Sequence, residues 1–449
     1  MRAKSVVASL AVIAATFSAR AQTPVPATQS TLPYRLTLQD ALQKGLQANL
    51  NVLLAVSRID QAEGTRQRRL AAALLPHVNG QTYANLHNLN LQAFGLSYPG
   101  APVLLGPLSN YDFRLYGQQN VIDLTSYRSL KASEQAVNSA KLDEKDARDL
   151  IVRAIAALYL NAESAAARTD AAQSRVNDAE ALFKLAKDKH DAGTATGVDV
   201  LRAQVQLANE RQSLLIAQNQ YKQSLLELSR EIGMSPAAPI EVAETLEFHP
   251  LAKQPAETLV NSALAARADY LSLASQRQAL VDQLNANHAR SYPKVSINGN
   301  YGGIGRSIGS VQGTGTIQGQ IDFTIFDRDR NGEALEISAQ IKAVDHRIGD
   351  LRRGIDQDIR SALLDLDSAQ QQVDVAQQGQ DLARRELEMT RDRFQQGTAN
   401  NVEVVTAQDA LARAEENYIL AVSSYVDGEF ALARALGDTE KNITGFSKQ

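Results

Sequence analysis

The chain has 449 residues, a formal net charge of −4, no Cys, no Trp and 5% aromatic residues. Without Cys there is no disulfide, no thiolate metal site, no Cys nucleophile and no acylated N-terminal Cys. The mild acidity excludes the basic surface that nucleic acid requires, and the dominance of Ala, Gln, Leu and charged residues suits long helices packed side by side.

Residues 1–21 read as a secretory signal peptide. Arg2 and Lys4 form a basic n-region, Val6 to Phe17 an apolar h-region, and Ala19-Arg20-Ala21 a small-residue cleavage site. Its removal takes away three positive charges (Arg2, Lys4, Arg20) and leaves about −7. After it, no apolar run approaches the ~18 residues of a membrane helix. A mature chain that enters a membrane must therefore do so as β-strands.

A short N-terminal extension, 22–35, leads into a first half, 36–233. Its opening helix is expected from roughly Thr37 to Leu74, and Pro76 closes it and begins extended chain. Two strands follow. In the second, Tyr111, Phe113, Leu115 and Gly117 alternate with Asp112, Arg114, Tyr116 and Gln118. The strand after Pro76 is less regular, and its parity breaks near His87-Asn88. The Gly/Pro-rich stretch Phe94 to Asn110 reads as an enlarged loop. Asp123 then caps a long helix, since an N-cap carboxylate accepts the free amides of the first turn. Gly193 ends that helix as a C′ glycine, Thr194 follows it, and a return helix runs from Val198 to Ile232.

A linker, 234–255, separates this from a second half, 256–437, and a tail, 438–449. The same parts recur in order: a helix from Ala256 to Ser291, Pro293, two strands, a cap at Asp327, a long helix, Gly397-Thr398, and a return helix from Val402 to Leu436. In "TIQGQIDFTIF", Ile317, Gly319, Ile321, Phe323 and Ile325 fall on one face, with Gln318, Gln320, Asp322 and Thr324 on the other. Ile337, Ile341, Val344, Ile348, Leu351 and Ile355 form a heptad seam, continued through Leu366, Val373, Leu387 and Phe394. That period predicts a coiled coil. "GGIGRSIG" (Gly302 to Gly309) has no capped helix after it and reads as a hairpin loop, not a phosphate site. The scattered His predict no metal site.

The chain is a duplication. The two Gly-Thr-Ala turns lie 204 positions apart (397 − 193), as do Asp123 and Asp327 (327 − 123). Pro76 and Pro293 lie 217 apart (293 − 76), so the first half carries a surplus of 13 residues (217 − 204) between its Pro and its Asp. Four strands of such length can cross a bilayer, but they cannot close a barrel with a lumen, and an open edge in lipid is prohibitive. Several chains must then share one barrel, and three give about twelve strands. The long helices, about 105 Å each, extend its lumen as a tube.

These elements resemble the TolC-type outer-membrane efflux protein family. The resemblance is carried by "LTLQDALQKGLQANLNV", the "LLPHV" and "SYPKV" junctions, "IFDRDRN", and the Gly-Thr-Ala turns with "VDVLRAQ" and "VEVVTAQ". It covers nearly the whole mature chain. It implies a mainly α protein with a membrane β-barrel: long helical hairpins, four transmembrane strands per chain, and a homotrimer with a twelve-stranded barrel above a periplasmic tunnel. It implies a passive exit duct of a tripartite efflux or type I secretion system, for small molecules or proteins, with no enzyme activity and no cofactor, and as partners a periplasmic adaptor, an inner-membrane pump or ABC exporter, and outer-membrane lipid. Gly193, Thr194, Gly397 and Thr398 become hairpin tips for the adaptor. Asp199 and Glu403, one turn past the tips, become a periplasmic gate, with packing around Phe394 holding it closed. Before the tip glycines stand Ala192 and Gln396, where the family often has an aliphatic residue. The competing reading is a periplasmic adaptor or structural coiled coil, which needs one hairpin and predicts neither the duplication nor the two-faced strands.

Overall fold

The computed structural model describes residues 33–96, 99–100 and 102–446. The expected signal, 1–21, and most of the 22–35 extension lie outside the described residues. The first half runs β1 (Tyr34–Leu36), α1 (Leu38–Ala48), α2 (Leu50–Leu74), β2 (His77–Asn90), β3 (Leu104–Ile122), α3 (Leu124–Asp191) and α4 (Gly197–Glu231). The second runs β4 (Ile240–Val242), α5 (Ala256–Ala266), α6 (Ala268–Ala289), β5 (Lys294–Gly305), β6 (Gln312–Asp322), α7 (Asp329–Gln395) and α8 (Asn401–Leu436), and α9 (Thr439–Phe446) closes the chain.

The opening helix of each half, expected as one piece, is two. Between α1 and α2, Asn49 adopts ψ 128°, and its side chain accepts from the Asn51 amide at 2.9 Å. Between α5 and α6, Arg267 adopts ψ 120° and is buried, paired with Asp269 at 2.7 Å and Asp358 at 3.3 Å. An extended residue interrupts the i→i−4 ladder, and these side-chain contacts stabilise the break. Neither site carries the Gly or Pro that would announce it.

α3 and α7 have 68 and 67 residues, or about 100 Å each. Each long helix is matched by shorter ones end to end: α3 packs along α2, α4, α6 and α8, and α7 along α6 and α8. The heptad seam of α7 is buried at Ile337, Val344, Ile355, Val373, Leu387 and Phe394, while Ile341, Ile348 and Leu351 are half-buried. One 18-residue window of α3 has mean hydropathy 1.3, long and apolar enough by composition to cross a membrane. The sequence reading expected no such run. Half of that window is buried within the bundle, and the apolar residues Ile151, Val152, Ile155 and Tyr159 of this helix form core.

The same core holds a second, two-stranded sheet. β1 and β4 pair in parallel there, Tyr34 opposite Ile240. Tyr159 Oη donates to Leu36 O at 2.9 Å. The stretch 234–255 thus contributes a strand, and the 438–449 tail contributes Ile443, fully buried in the same cluster.

The other sheet has four antiparallel strands in the order β2-β3-β5-β6. Its boundaries correct two expectations. β3 begins at Leu104, inside the expected loop, because β2 runs on to Asn90 and pairs with it; Gly106 and Pro107 sit at the irregularity between His87 and Leu89. A bulge tolerates Pro because the ladder is already interrupted. β6 ends at Asp322, so Phe323 and Ile325 lie beyond the strand. Its last partner is Lys294, preceded by Pro293, which has no N–H to continue the ladder.

Candidate functional site

The sheet has two chemically distinct faces. Register places Thr82 beside Phe113, Gly80 beside Leu115 and Tyr301, and Gly299 beside Ile317. Leu115, Tyr301 and Ile317 are 60%, 73% and 87% exposed. On the other face Gln81 lies beside Arg114, Tyr83 beside Asp112, and Asn298 beside Gln318. Asp112 is buried there because Tyr83 Oη donates to Oδ2 at 2.8 Å and Arg114 Nε to Oδ1 at 2.6 Å. Asn298 Nδ2 donates to Gln320 Oε1 at 3.1 Å. One face is therefore apolar and unpartnered, the other hydrogen-bonded and polar. β2 and β6 each have one neighbour, so both outer edges are open.

Pro76 and Pro293 immediately precede β2 and β5, where helix gives way to strand. Asp123 is the N-cap of α3: Oδ1 accepts from the Ser126 amide at 3.0 Å and Oδ2 from Lys294 Nζ at 2.8 Å. Burial pushes the Asp123 carboxyl up, but Lys294 and Ser126 outweigh it and hold it below its usual range. Asp327 differs. It stands one residue before the assigned cap, Arg328, and still accepts from the Arg330 amide at 3.3 Å. Its other partner is Arg290, at 2.6 Å, so this acid ties the end of α6 to the start of α7.

At the opposite end the repeated turn has a complete physical account. Gly193 and Gly397 adopt φ of 78° and 77°, a region open to Gly at no steric cost. Each turn closes on its helix in the same pattern: Gly193 N donates to His190 O at 2.8 Å and Thr194 N to Lys189 O at 2.8 Å, and Gly397 N donates to Phe394 O at 3.1 Å and Thr398 N to Arg393 O at 2.9 Å. These are paired Schellman closures. Thr194 and Thr398 add their hydroxyls to the same Lys189 and Arg393 carbonyls, at 3.0 and 3.1 Å. The return helices then start in capping boxes, Thr196 with Asp199 and Asn400 with Glu403.

The structure brings Asp199, Glu403 and Phe394 to one end but gives each local work. Asp199 Oδ2 accepts from Thr196 N at 3.1 Å and Thr196 Oγ1 at 2.7 Å. Glu403 pairs with Arg393 at 3.3 Å. Phe394 is buried against Leu182, Ala203, Val404 and Ala407, joining the two hairpins in one cluster. Sequence reasoning missed the polar contacts between the hairpins. Lys189 Nζ donates to the Phe394 and Gln395 carbonyls and lies 4.8 Å from the Phe394 ring. Asn401 Nδ2 donates to Asp199 O at 2.9 Å. No sequence spacing reports these, although Lys189 in the last turn of a helix is a familiar cap for free carbonyls.

Comparison with known proteins agrees with this arrangement. A family profile described as "Outer membrane efflux protein" matches residues 41–234 and 259–438. The pyoverdine export outer membrane protein OpmQ of Pseudomonas aeruginosa is 24% identical over 269 residues, covering 58% of this chain and about half, 54%, of that protein. The toluene efflux pump outer membrane protein TtgF of Pseudomonas putida is 22% identical over 393 residues, 82% of this chain and 80% of that protein. Among solved structures, the outer-membrane channel OprN matches with TM-score 0.73 and 18% identity over 89% of each chain. The outer membrane protein VceC of Vibrio cholerae matches with TM-score 0.73 and 18% identity, over 89% of this chain and 96% of that one. At these identities the solved structures establish the fold.

Proposed function

The chain belongs to the outer membrane efflux protein family, and on that premise we propose that it is the exit duct of a tripartite efflux system. Three copies share one twelve-stranded barrel in the outer membrane, and their helices form a tunnel through the periplasm. The carrying observation is the sheet with an apolar face, a polar face and two open edges. Lipid cannot hydrogen-bond an open edge, so β2 of one copy must pair with β6 of the next. The apolar face then meets lipid and the polar face water. The hairpin tips meet a periplasmic adaptor, which joins the duct to an inner-membrane pump or an ABC exporter. The duct is a passive conduit without a reaction of its own. Cargo is small molecules chosen upstream, a reading supported by relatives named for pyoverdine export and toluene efflux. The signal, 1–21, directs export, and 36–233 and 256–437 are the two copies of one ancestral half. The test is the mass and conductance of the full protein in detergent and in planar bilayers. A conducting species of three chains is expected; a stable single chain that conducts overturns the assembly.

A further inference from the structure

The two halves repeat their strand pairing residue for residue. The offsets are those of the two prolines, 217 (293 − 76), and of the two caps, 204 (327 − 123). Subtracting 217 from β5 and 204 from β6 turns one register into the other. Lys294 opposite Asp322 becomes His77 opposite Gln118, and Ile304 opposite Gln312 becomes His87 opposite Leu108. Every pair of β5 and β6 has its counterpart in β2 and β3.

β3 and β5 pair where the first half meets the second. A head-to-tail ring of copies makes that junction again, between β6 of one copy and β2 of the next. β3 corresponds to β6 and β5 to β2, so the same two offsets carry the β3–β5 register across.

We propose that β6 of one copy pairs antiparallel with β2 of the next, with Ile317 opposite Leu86, Ile321 opposite Thr82 and Phe323 opposite Gly80. These are the images of Phe113 opposite Gly303, Gly117 opposite Gly299 and Gln119 opposite Ile297. This pairing rests on the shared barrel and adds which residues close it. The transferred register keeps the apolar face continuous across the seam: Leu86 and Ile317 lie on it, 69% and 87% exposed. A slip of one residue would set each against the polar face. Gly80 leaves space beside Leu115, where a Cβ would stand 3.4 Å from that side chain. Phe323 is 67% exposed, and an aromatic ring laid across a strand glycine covers it.

The seam also accounts for where β6 ends. β3 runs past the start of β2, and Gln119, Asn120 and Ile122 pair with β5 alone. Their images, Phe323, Thr324 and Phe326, follow the end of β6 at Asp322 and have no strand neighbour among the described residues. β2 of the next copy supplies it, and β6 lengthens on assembly.

Engineered disulfides test the register, and the chain has no Cys of its own. β2 and β6 are the two edges of the four-stranded sheet, three strand spacings or about 14 Å apart. A disulfide between them cannot form within one chain. The full-length Leu86→Cys, Ile317→Cys variant, oxidised in detergent with copper phenanthroline, should run without reductant as covalent bands of two and three chains. Thr82→Cys with Ile321→Cys should do the same. Ile317→Cys combined with Ala84→Cys or Asn88→Cys, two residues out of register, should stay at single-chain mobility, because diagonal neighbours stand ~7–8 Å apart. The native mass of the unoxidised wild type, measured in parallel, keeps the readings apart. Three chains linked through Ala84 or Asn88 instead overturn the register alone. Three chains that link in none of the variants overturn the seam between β2 and β6. A wild type of single-chain mass overturns the shared barrel itself.

Discussion

Lys189 ties the two hairpins of a chain together at their tips, and replacing it with Met isolates that tie. Met keeps most of the apolar stem and removes the charge and the donors. In the structure Nζ donates to Gln395 O at 3.1 Å and to Phe394 O, and faces the Phe394 ring at 4.8 Å. A hydrogen bond of this kind contributes about 0.5–1.5 kcal/mol net. A cation at a helix C-terminus contributes ~0.3–1 kcal/mol, and an exposed cation–ring contact ~0.5–1 kcal/mol. One ammonium makes all of these, and Lys189 is only half-buried, so they overlap and are screened. A coupling of about 1–3 kcal/mol follows, which is a factor of about 5 to 150 in a closed–open equilibrium.

The assay is open-state occupancy in single-channel recordings of the assembled protein. Lys189→Met should raise occupancy within that range, and Lys189→Arg should stay near wild type because a guanidinium can also reach carbonyl oxygens. Raising salt should favour opening of the wild type and leave the Met variant nearly unmoved. Unchanged occupancy in a Met variant that assembles and melts normally would refute the tie: Phe394 packing would then hold the entrance without it.

The same recordings test the acids. Replacing Asp199 and Glu403 with Ala should weaken cation preference and block by divalent cations at the periplasmic mouth, while assembly survives because each first-turn acid contributes only ~0.3–1 kcal/mol; unchanged selectivity leaves both as helix-start residues. Cys at Gln320 should react with a water-soluble thiol reagent and Cys at Ile321 should not, and Arg at Ile317, in the middle of β6 on the same face, should destabilise by ~2–4 kcal/mol; the reverse labelling puts the register off by one. Burial, with the Glu244 carboxylate adding to it, pushes the Glu163 carboxyl up to about 8 from its ordinary 4.5. A folded-state value above the unfolded one means the stabilisation is full below 4.5 and lost as pH rises through about 8. Thermal melts should therefore fall across that window, and Glu163→Gln, neutral throughout, should flatten the fall; an equally steep fall in the variant removes Glu163 as its source.

Long-period features were legible in the sequence because they repeat. The heptad seam of α7, the strand alternation and the helix-ending glycines each impose a local pattern that needs no knowledge of the rest of the chain. Even the failure of parity near His87 was visible, and the irregularity between His87 and Leu89 is its cause. What stayed hidden depended on distant partners. β1 and β4 are three residues each and exist because they pair across about two hundred positions of chain. Asn49 and Arg267 break their helices without a breaker residue; for Arg267 the reason, ion pairs with Asp269 and Asp358, appears only after folding. β6 stops where Pro293 of its neighbour denies it a donor, a constraint written in another strand.

The tips show how the two kinds of information divide. At equivalent positions the backbone devices are conserved between the halves: Gly193 with Gly397, Thr194 with Thr398, Asp199 with Glu403. These are local, and each copy needs them to turn. Some of the positions that differ reach across between the hairpins. Lys189 corresponds to Arg393; the first reaches across to the Phe394 and Gln395 carbonyls, the second stays on its own hairpin with Glu403. His190 corresponds to Phe394; the first is exposed, with Nδ1 near Ala195 O at 3.1 Å, the second is buried between hairpins. Gly197 corresponds to Asn401, whose side chain crosses to Asp199 O. Identical hairpins could also pack one face against another, so divergence is not what permits the contact; it makes the two sides of the contact chemically distinct. At this turn Lys189, Phe394 and Asn401 are diverged positions that reach the other hairpin, beside the unchanged pair Ala203 and Ala407 in the shared cluster, and through them one hairpin can be moved against the other.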